Sequence, residues 1–159
     1  MRKSAALLLA LLLALCAGCS VWGEPWDICR VVAPHYREGA ELVRFETVNV
    51  PEGAGMIDAL IEALNSPTED PELQNPLPED GKILDWRLSG TVLELSAGEG
   101  YALLAGLDKT LCDCCLALTL CGAEGVEAIS VSVNGALVTP ELGERDIVVY
   151  DAASDAAEG

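Results

Sequence analysis

"ILDWRLSGTVLELS", residues 83–96, sets two short runs of mixed apolar and polar residues on either side of a glycine, the pattern of a β-hairpin. A two-residue Ser89-Gly90 turn pairs Leu88 with Thr91, Trp86 with Leu93 and Leu84 with Leu95 on one apolar face, and turns Asp85, Arg87 and Glu94 to the other. A second hairpin follows in "AISVSVNGALV", residues 128–138. Its Asn134-Gly135 pair signals a type I′ turn that sets Val133 against Ala136 and Val131 against Val138, with Ser130 and Ser132 facing away. Each hairpin is apolar on one side only, so each needs a covering layer.

Two helices supply that layer. Ile57, Leu60, Ile61 and Leu64 recur at i, i+3, i+4 and i+7. Between the hairpins, Leu104, Leu107, Leu111, Cys114, Leu118 and Cys121 form a second stripe, on a helix beginning near Tyr101 or Leu107. "ELVRFETVNV", residues 41–50, is rich in β-branched residues and stops at Pro51, so it reads as a strand; "DIVVY", residues 146–150, reads as the last one. The pattern predicts an α+β domain, a two-layer sandwich of mainly antiparallel sheet with two helices packed on one face. Pro67, Pro71, Pro76 and Pro78 make residues 66–81 a loop, long for a compact domain.

The ends read differently. Arg2 and Lys3 precede an apolar run, residues 5–15, too short to span a bilayer of ~20 helical residues. "CAGC", residues 16–19, then places Ala17 and Gly18 before Cys19, which resembles a bacterial lipobox with Cys16 where the motif usually has Leu. The expected organisation is a lipoprotein signal peptide over 1–18, a tether over 19–40, the domain over 41–150 and a disordered acidic tail over 151–159. Cys19 is the expected lipid attachment site, and an ordinary secretory signal is the alternative. As a flexible coil, the tether spans roughly 25 Å. Trp22 and Trp26 in it either lie near the lipid or fold back on the domain.

The formal charge of −17 becomes more negative still when Arg2 and Lys3 leave with the signal. So acidic a surface repels phosphate backbones, which excludes nucleic acid as the expected partner. It also repels anionic headgroups, so the lipid does the anchoring, on the extracytoplasmic face of the cell membrane. An envelope protein is the expected partner and peptidoglycan a further candidate.

Chemistry has few places to sit. The single histidine, His35, falls in the tether, away from any nucleophile motif. Glu69, Asp70, Glu72, Glu79 and Asp80 crowd the long loop without EF-hand spacing, so a solvated loop is preferred to a calcium site. "LCDCCLALTLCG", residues 111–122, is the exception, with four cysteines. At ~1.5 Å rise per residue Cys121 lies about 10 Å along a helix from Cys114. A tetrahedral Zn site needs its sulfurs within roughly 4 Å of one another, so one helix does not build it. Cys112 and Cys115 are i, i+3, roughly 5–6 Å apart at Cβ, and remain candidates for a disulfide or redox pair. The preferred reading makes Cys114 and Cys121 small core residues, flanked by Cys112 and Cys115, with Cys29 paired to a helix thiol or free. No cofactor, metal or enzymatic activity is expected; the alternative is an extracytoplasmic thiol-disulfide protein using Cys112 and Cys115.

Over residues 42–138 the order of elements resembles the GerMN domain of spore germination and sporulation lipoproteins. The likeness rests on "VNVPEGAGMIDALIEAL" (48–64), "NPLPEDGKILDWRLSGTVLELSAG" (75–98) and "ALTLCGAEGVEAISVSVNGALV" (117–138). Thr119-Leu120, Gly125-Val126 and Asn134-Gly135 match the family's Thr-Leu, Gly-Val and final turn, while Cys121 replaces a Thr and "GAE" a Pro. The resemblance implies an exported, membrane-tethered interaction module in envelope assembly or in sporulation and germination, with no catalytic constellation to transfer.

Overall fold

The structure, a computed structural model, describes residues 23–36, 41–51 and 55–147. The signal peptide, Cys19 and the acidic tail lie outside the described residues. Two sheets and two principal helices make an α+β fold.

The first sheet has the order β2-β1-β3, formed by β1 (Glu24–Val32), β2 (Val43–Val50) and β3 (Leu73–Gln74), with both pairings antiparallel. Its central strand corrects the expected tether, because ordered structure reaches back into 19–40. Residues 28–32 of β1 are buried in succession, as in a strand covered on both faces, so the alternation that marks a half-buried strand is missing. Pro25 sits near the strand start and Pro34 beyond its end, where neither interrupts the ladder.

The second sheet has the order β4-β5-β6-β7, from β4 (Ile83–Ser89), β5 (Val92–Ala97), β6 (Ala128–Val133) and β7 (Ala136–Leu142). Its middle pair is parallel, and α2 (Gly106–Leu120) makes the crossover that a parallel pair requires. The turn of the first hairpin lies one residue further along than expected, which moves each cross-strand partner by two residues. Gly90 and Thr91 form its turn, so Leu88 faces Leu93 and Trp86 faces Leu95. Gly90 at φ +63° takes the first turn position. This register opposes Arg87 to Glu94, which pair, whereas the expected one sets Asp85 against Glu94, a like-charge contact. A bulge after Ile83 leaves Leu84 72% exposed instead of on the apolar face. The second hairpin has its I′ turn, with Asn134 and Gly135 both at positive φ. Val133 faces Ala136 as expected, but an irregularity then sets Val131 against Thr139 rather than Val138. At the expected last strand, Asp146 closes a 3-10 turn, and residues 148–150 lie outside the described residues.

Helix α1 (Met56–Asn65) buries Leu60, Ile61 and Leu64, as its spacing predicts. Arg30 of β1, only 2% exposed, ties it down: its guanidinium donates to the Ala63 and Ser66 carbonyls at 3.0 and 3.2 Å and to Glu46 at 2.9 Å. These carbonyls lie in the last turn of α1, where a helix leaves acceptors without full intrahelical pairing; Ala63 O also accepts the Ser66 N–H at 3.1 Å. Helix α2 begins at Gly106, after a separate helical turn at Glu99–Ala102. Its buried face is Leu111, Cys112, Cys115, Leu116, Thr119 and Leu120. The expected stripe is therefore rotated: Leu107 is half exposed, and Cys114, Leu118 and Cys121 are only partly covered.

One large core joins α1, α2, Ile28 and the inner residues of the four-stranded sheet, while Cys29, Val31, Leu111 and Cys115 form a second cluster where β1 meets α2. Thr119 seals that contact, its Oγ1 accepting from the Cys29 N–H at 2.9 Å. This gives the Thr119-Leu120 pair of the resemblance a physical role: one satisfies a strand N–H, and the other is fully buried in the core. No helix among the described residues is long and apolar enough to cross a membrane.

Candidate functional site

The cysteines occupy different environments from those expected. Cys112 and Cys115 are fully buried, Cys114 and Cys121 half-buried, and all four are unlinked, as is Cys29. The helical spacing turns Cys115 onto β1, where its thiol hydrogen-bonds to Cys29 across the element boundary. That hydrogen bond first, then burial and the neighbouring thiols, push the Cys115 thiol far up. Burial, helped by the Asp113 carboxylate, pushes Cys112 up to about 12. Burial also raises Cys114 and Cys121. A thiolate nucleophile requires the opposite environment, exposed and electropositive. Among the described residues no group of three or more His, Cys, Asp or Glu is placed to hold a metal ion.

A reactivity prediction follows from the sign of these shifts. A raised pKa keeps the thiol protonated at every pH below it, so Cys112 and Cys115 resist iodoacetamide at pH 8 in the folded chain and react once denatured. Mass spectrometry of alkylated peptides reads this directly; rapid labelling of native Cys112 contradicts it.

A second polar cluster lies near the thiols. The buried Tyr101 hydroxyl meets Asp113 Oδ1 and, at 2.8 Å, Thr139 Oγ1, while Lys109 Nζ reaches Asp113 Oδ2 at 2.5 Å and Thr139 Oγ1 at 2.6 Å. Burial first, and then the Asp113 hydrogen bond, raise the Tyr101 phenol well above its ordinary value. These groups hydrogen-bond one another, so the cluster joins α2 to β7. The acidic loop is likewise committed in part: Glu72 pairs with Arg44 at 2.9 Å, and Asp70 accepts from the Glu72 N–H at 2.8 Å. His35 sits on the exposed turn Pro34–Tyr36.

Among the concave features of the described residues, one groove of about 470 Å³ lies where the two sheets meet the start of α1, within the usual range of binding sites, ~300–1,000 Å³. Trp26 of β1 and Trp86 of β4 line it with Met56 and Ile57, the Gly122-Ala123 backbone, and Glu24 and Glu124. The Trp86 indole N–H donates to Asp58 Oδ1 at 2.7 Å, which fixes its ring. Trp26 lies over Gly122, where an added Cβ would stand 3.6 Å from the indole. Sequence reading leaves this groove unseen because its parts come from four separated segments, one of them placed in the tether. The apolar run of residues 28–32 beside Trp26 is the signal that a strand, and so a packed Trp, lies there.

The fold as a whole is similar to solved structures. The first GerMN domain of the sporulation protein GerM from Bacillus subtilis superposes with a TM-score of 0.59 at 12% identity, over 76% of this chain and 95% of that one. The fold is GerMN-like. The tandem GerMN domains of the same protein give a TM-score of 0.53 at 16% identity, over 75% of this chain and 42% of that longer one. At such identities the likeness is one of fold. No protein-family model matches the chain, and no curated protein matches it.

Proposed function

We propose that the chain is a lipoprotein, anchored through lipid on Cys19 to the extracytoplasmic face of a cell membrane, whose GerMN-like domain binds envelope proteins. The setting is envelope assembly, or sporulation and germination. The observation that carries this reading is the likeness of fold to a domain of a sporulation protein, joined to the lipobox-like "CAGC" that precedes the domain. The domain acts by binding rather than by catalysis. Its thiols are buried with raised pKa values, and the groups of its Tyr101 cluster hydrogen-bond one another.

Fractionation of cells making wild-type chain and Cys19→Ala tests the anchor. Wild type sediments with membranes and is extracted by detergent, whereas the variant, lacking the acyl chains that hold so acidic a domain at a bilayer, moves to the soluble fraction. A variant that still partitions wholly with membranes overturns the lipid assignment.

A further inference from the structure

We propose that the Trp26–Trp86 groove is a binding site for an arginine side chain presented by an extended segment of a partner protein. The assignment rests on the reading of the domain as an interaction module and adds the chemistry of what it takes.

Four observations converge on it. First, the walls are aromatic and apolar: two half-buried indoles, Met56 and Ile57. Indole faces attract cations through their quadrupole, and a guanidinium also stacks on them flat. Second, the groove is acidic at its rim. Glu24 and Glu124 line it with no Lys or Arg among the lining residues, and neither side-chain carboxylate has an ion-pair or hydrogen-bond partner among the described residues. Elsewhere Glu41, Glu46, Glu72 and Glu94 are paired with arginines. Third, the Trp86 indole N–H is already committed to Asp58, so the ring is held in place and its donor is not free for a ligand. Fourth, the whole chain is strongly negative, so a cationic segment is drawn toward it before it finds the groove.

Arginine fits these features better than the other cations. Its three-carbon stem matches the Met56 and Ile57 walls, and its N–H fork supplies donors for the rim carboxylates. A quaternary ammonium such as choline fills an aromatic site but gives carboxylates no N–H donor, and an anionic or neutral ligand leaves Glu24 and Glu124 uncompensated. A second copy of this acidic chain is a poor source, because like net charges oppose its approach; Arg30, Arg44 and Arg87 are engaged in its own fold, which leaves Arg145 as the exposed arginine without an ion pair among the described residues.

The test uses the full chain, purified in detergent micelles as its cell processes it, with indole N–H signals followed by NMR. Trp26→Phe and Trp86→Phe assign the signals. The probes are the peptide acetyl-Gly-Arg-Gly-Arg-Gly-amide and its citrulline counterpart, which keeps the shape and loses the charge. The expected result is saturable shifts of the Trp26 and Trp86 signals with the arginine peptide and at least tenfold weaker binding of the citrulline peptide. The double variant Glu24→Gln/Glu124→Gln, altered only at exposed positions, is expected to retain the fold and bind the arginine peptide at least tenfold more weakly.

Several results overturn the proposal: no shift with the arginine peptide, equal binding of both peptides, or an unchanged affinity in the double variant. Tighter binding of choline or of a muropeptide, or shifts produced by raising the chain's own concentration, assign the groove to another occupant and overturn it too. The two readings fail separately. A chain released by Cys19→Ala that binds no arginine peptide loses only the groove assignment, and one whose membrane association ignores Cys19 while binding the peptide as described loses only the anchor.

Discussion

Replacing Arg30 with Leu is expected to destabilise the domain by about 3–5 kcal/mol, a large share of the roughly 5–15 kcal/mol that holds a domain folded. The guanidinium is 2% exposed and serves three acceptors at once: Glu46 at 2.9 Å and the Ala63 and Ser66 carbonyls at 3.0 and 3.2 Å. Removing it takes one donor from each of two carbonyls at the end of α1, leaving Ala63 O only the Ser66 N–H and Ser66 O only the Asn75 side-chain amide, and leaves a Glu46 carboxylate only 22% exposed, whose remaining partner is Thr68 at 2.9 Å. Arg30→Lys does not restore the site, since one ammonium on a flexible stem does not reproduce a planar fork. Urea unfolding measures the loss. A change below about 1 kcal/mol, the level of an exposed ion pair, shows that β1 and α1 are not joined in this way.

Leu120→Ala is expected to cost about 2–5 kcal/mol, because the side chain is fully buried in the large core and the surrounding helices and sheet do not collapse into the space it leaves. Leu107→Ala, at a residue 49% exposed, is expected to change stability by no more than about 0.5 kcal/mol. The contrast is diagnostic. A buried face built on the 104–107–111–114–118–121 stripe makes Leu107 the costly position; the observed face, 111–112–115–116–119–120, makes Leu120 costly. Thermal or urea unfolding of both variants decides between them.

That contrast also shows why α2 is misread from its spacing. Its apolar residues fall on two sides, Leu111 and Leu118 on one and Leu116 and Leu120 on another, and α2 is covered by β1 on the first and by the four-stranded sheet on the second. A helix with two covered sides carries no single apolar stripe. Helix α1, covered on one side, is legible from Ile57, Leu60, Ile61 and Leu64. The Asn134-Gly135 turn is legible because its backbone demands residues that accept positive φ. The Gly90 turn is ambiguous by one residue, and cross-strand charge resolves it: Arg87 opposite Glu94 wins over Asp85 opposite Glu94. Strand β1 is obscured by two prolines and by Arg30, a charge in the middle of a buried run that makes sense only once the α1 carbonyls are seen beside it.

The site follows the same logic. Four cysteines in one helix draw attention to α2, yet its geometry buries Cys112 and Cys115 and raises their pKa values, which suits packing. The Trp26–Trp86 groove has no sequence motif because β1, α1, β4 and the segment after α2 each contribute only one to three residues. Its acidic rim gives the domain a polarity of partner that the net charge alone leaves general.

Photo-crosslinking in the chain's own cells tests the claim of an anchored binding module most directly, with a benzophenone amino acid at Glu24 on the groove rim and, as reference, at Ser130 on the four-stranded sheet's solvent side. The account predicts discrete adducts of envelope proteins from position 24, reduced by Trp86→Phe and by Cys19→Ala, with far fewer from position 130. The absence of adducts from position 24 while the chain is at the membrane, or an adduct pattern indifferent to both substitutions, contradicts it.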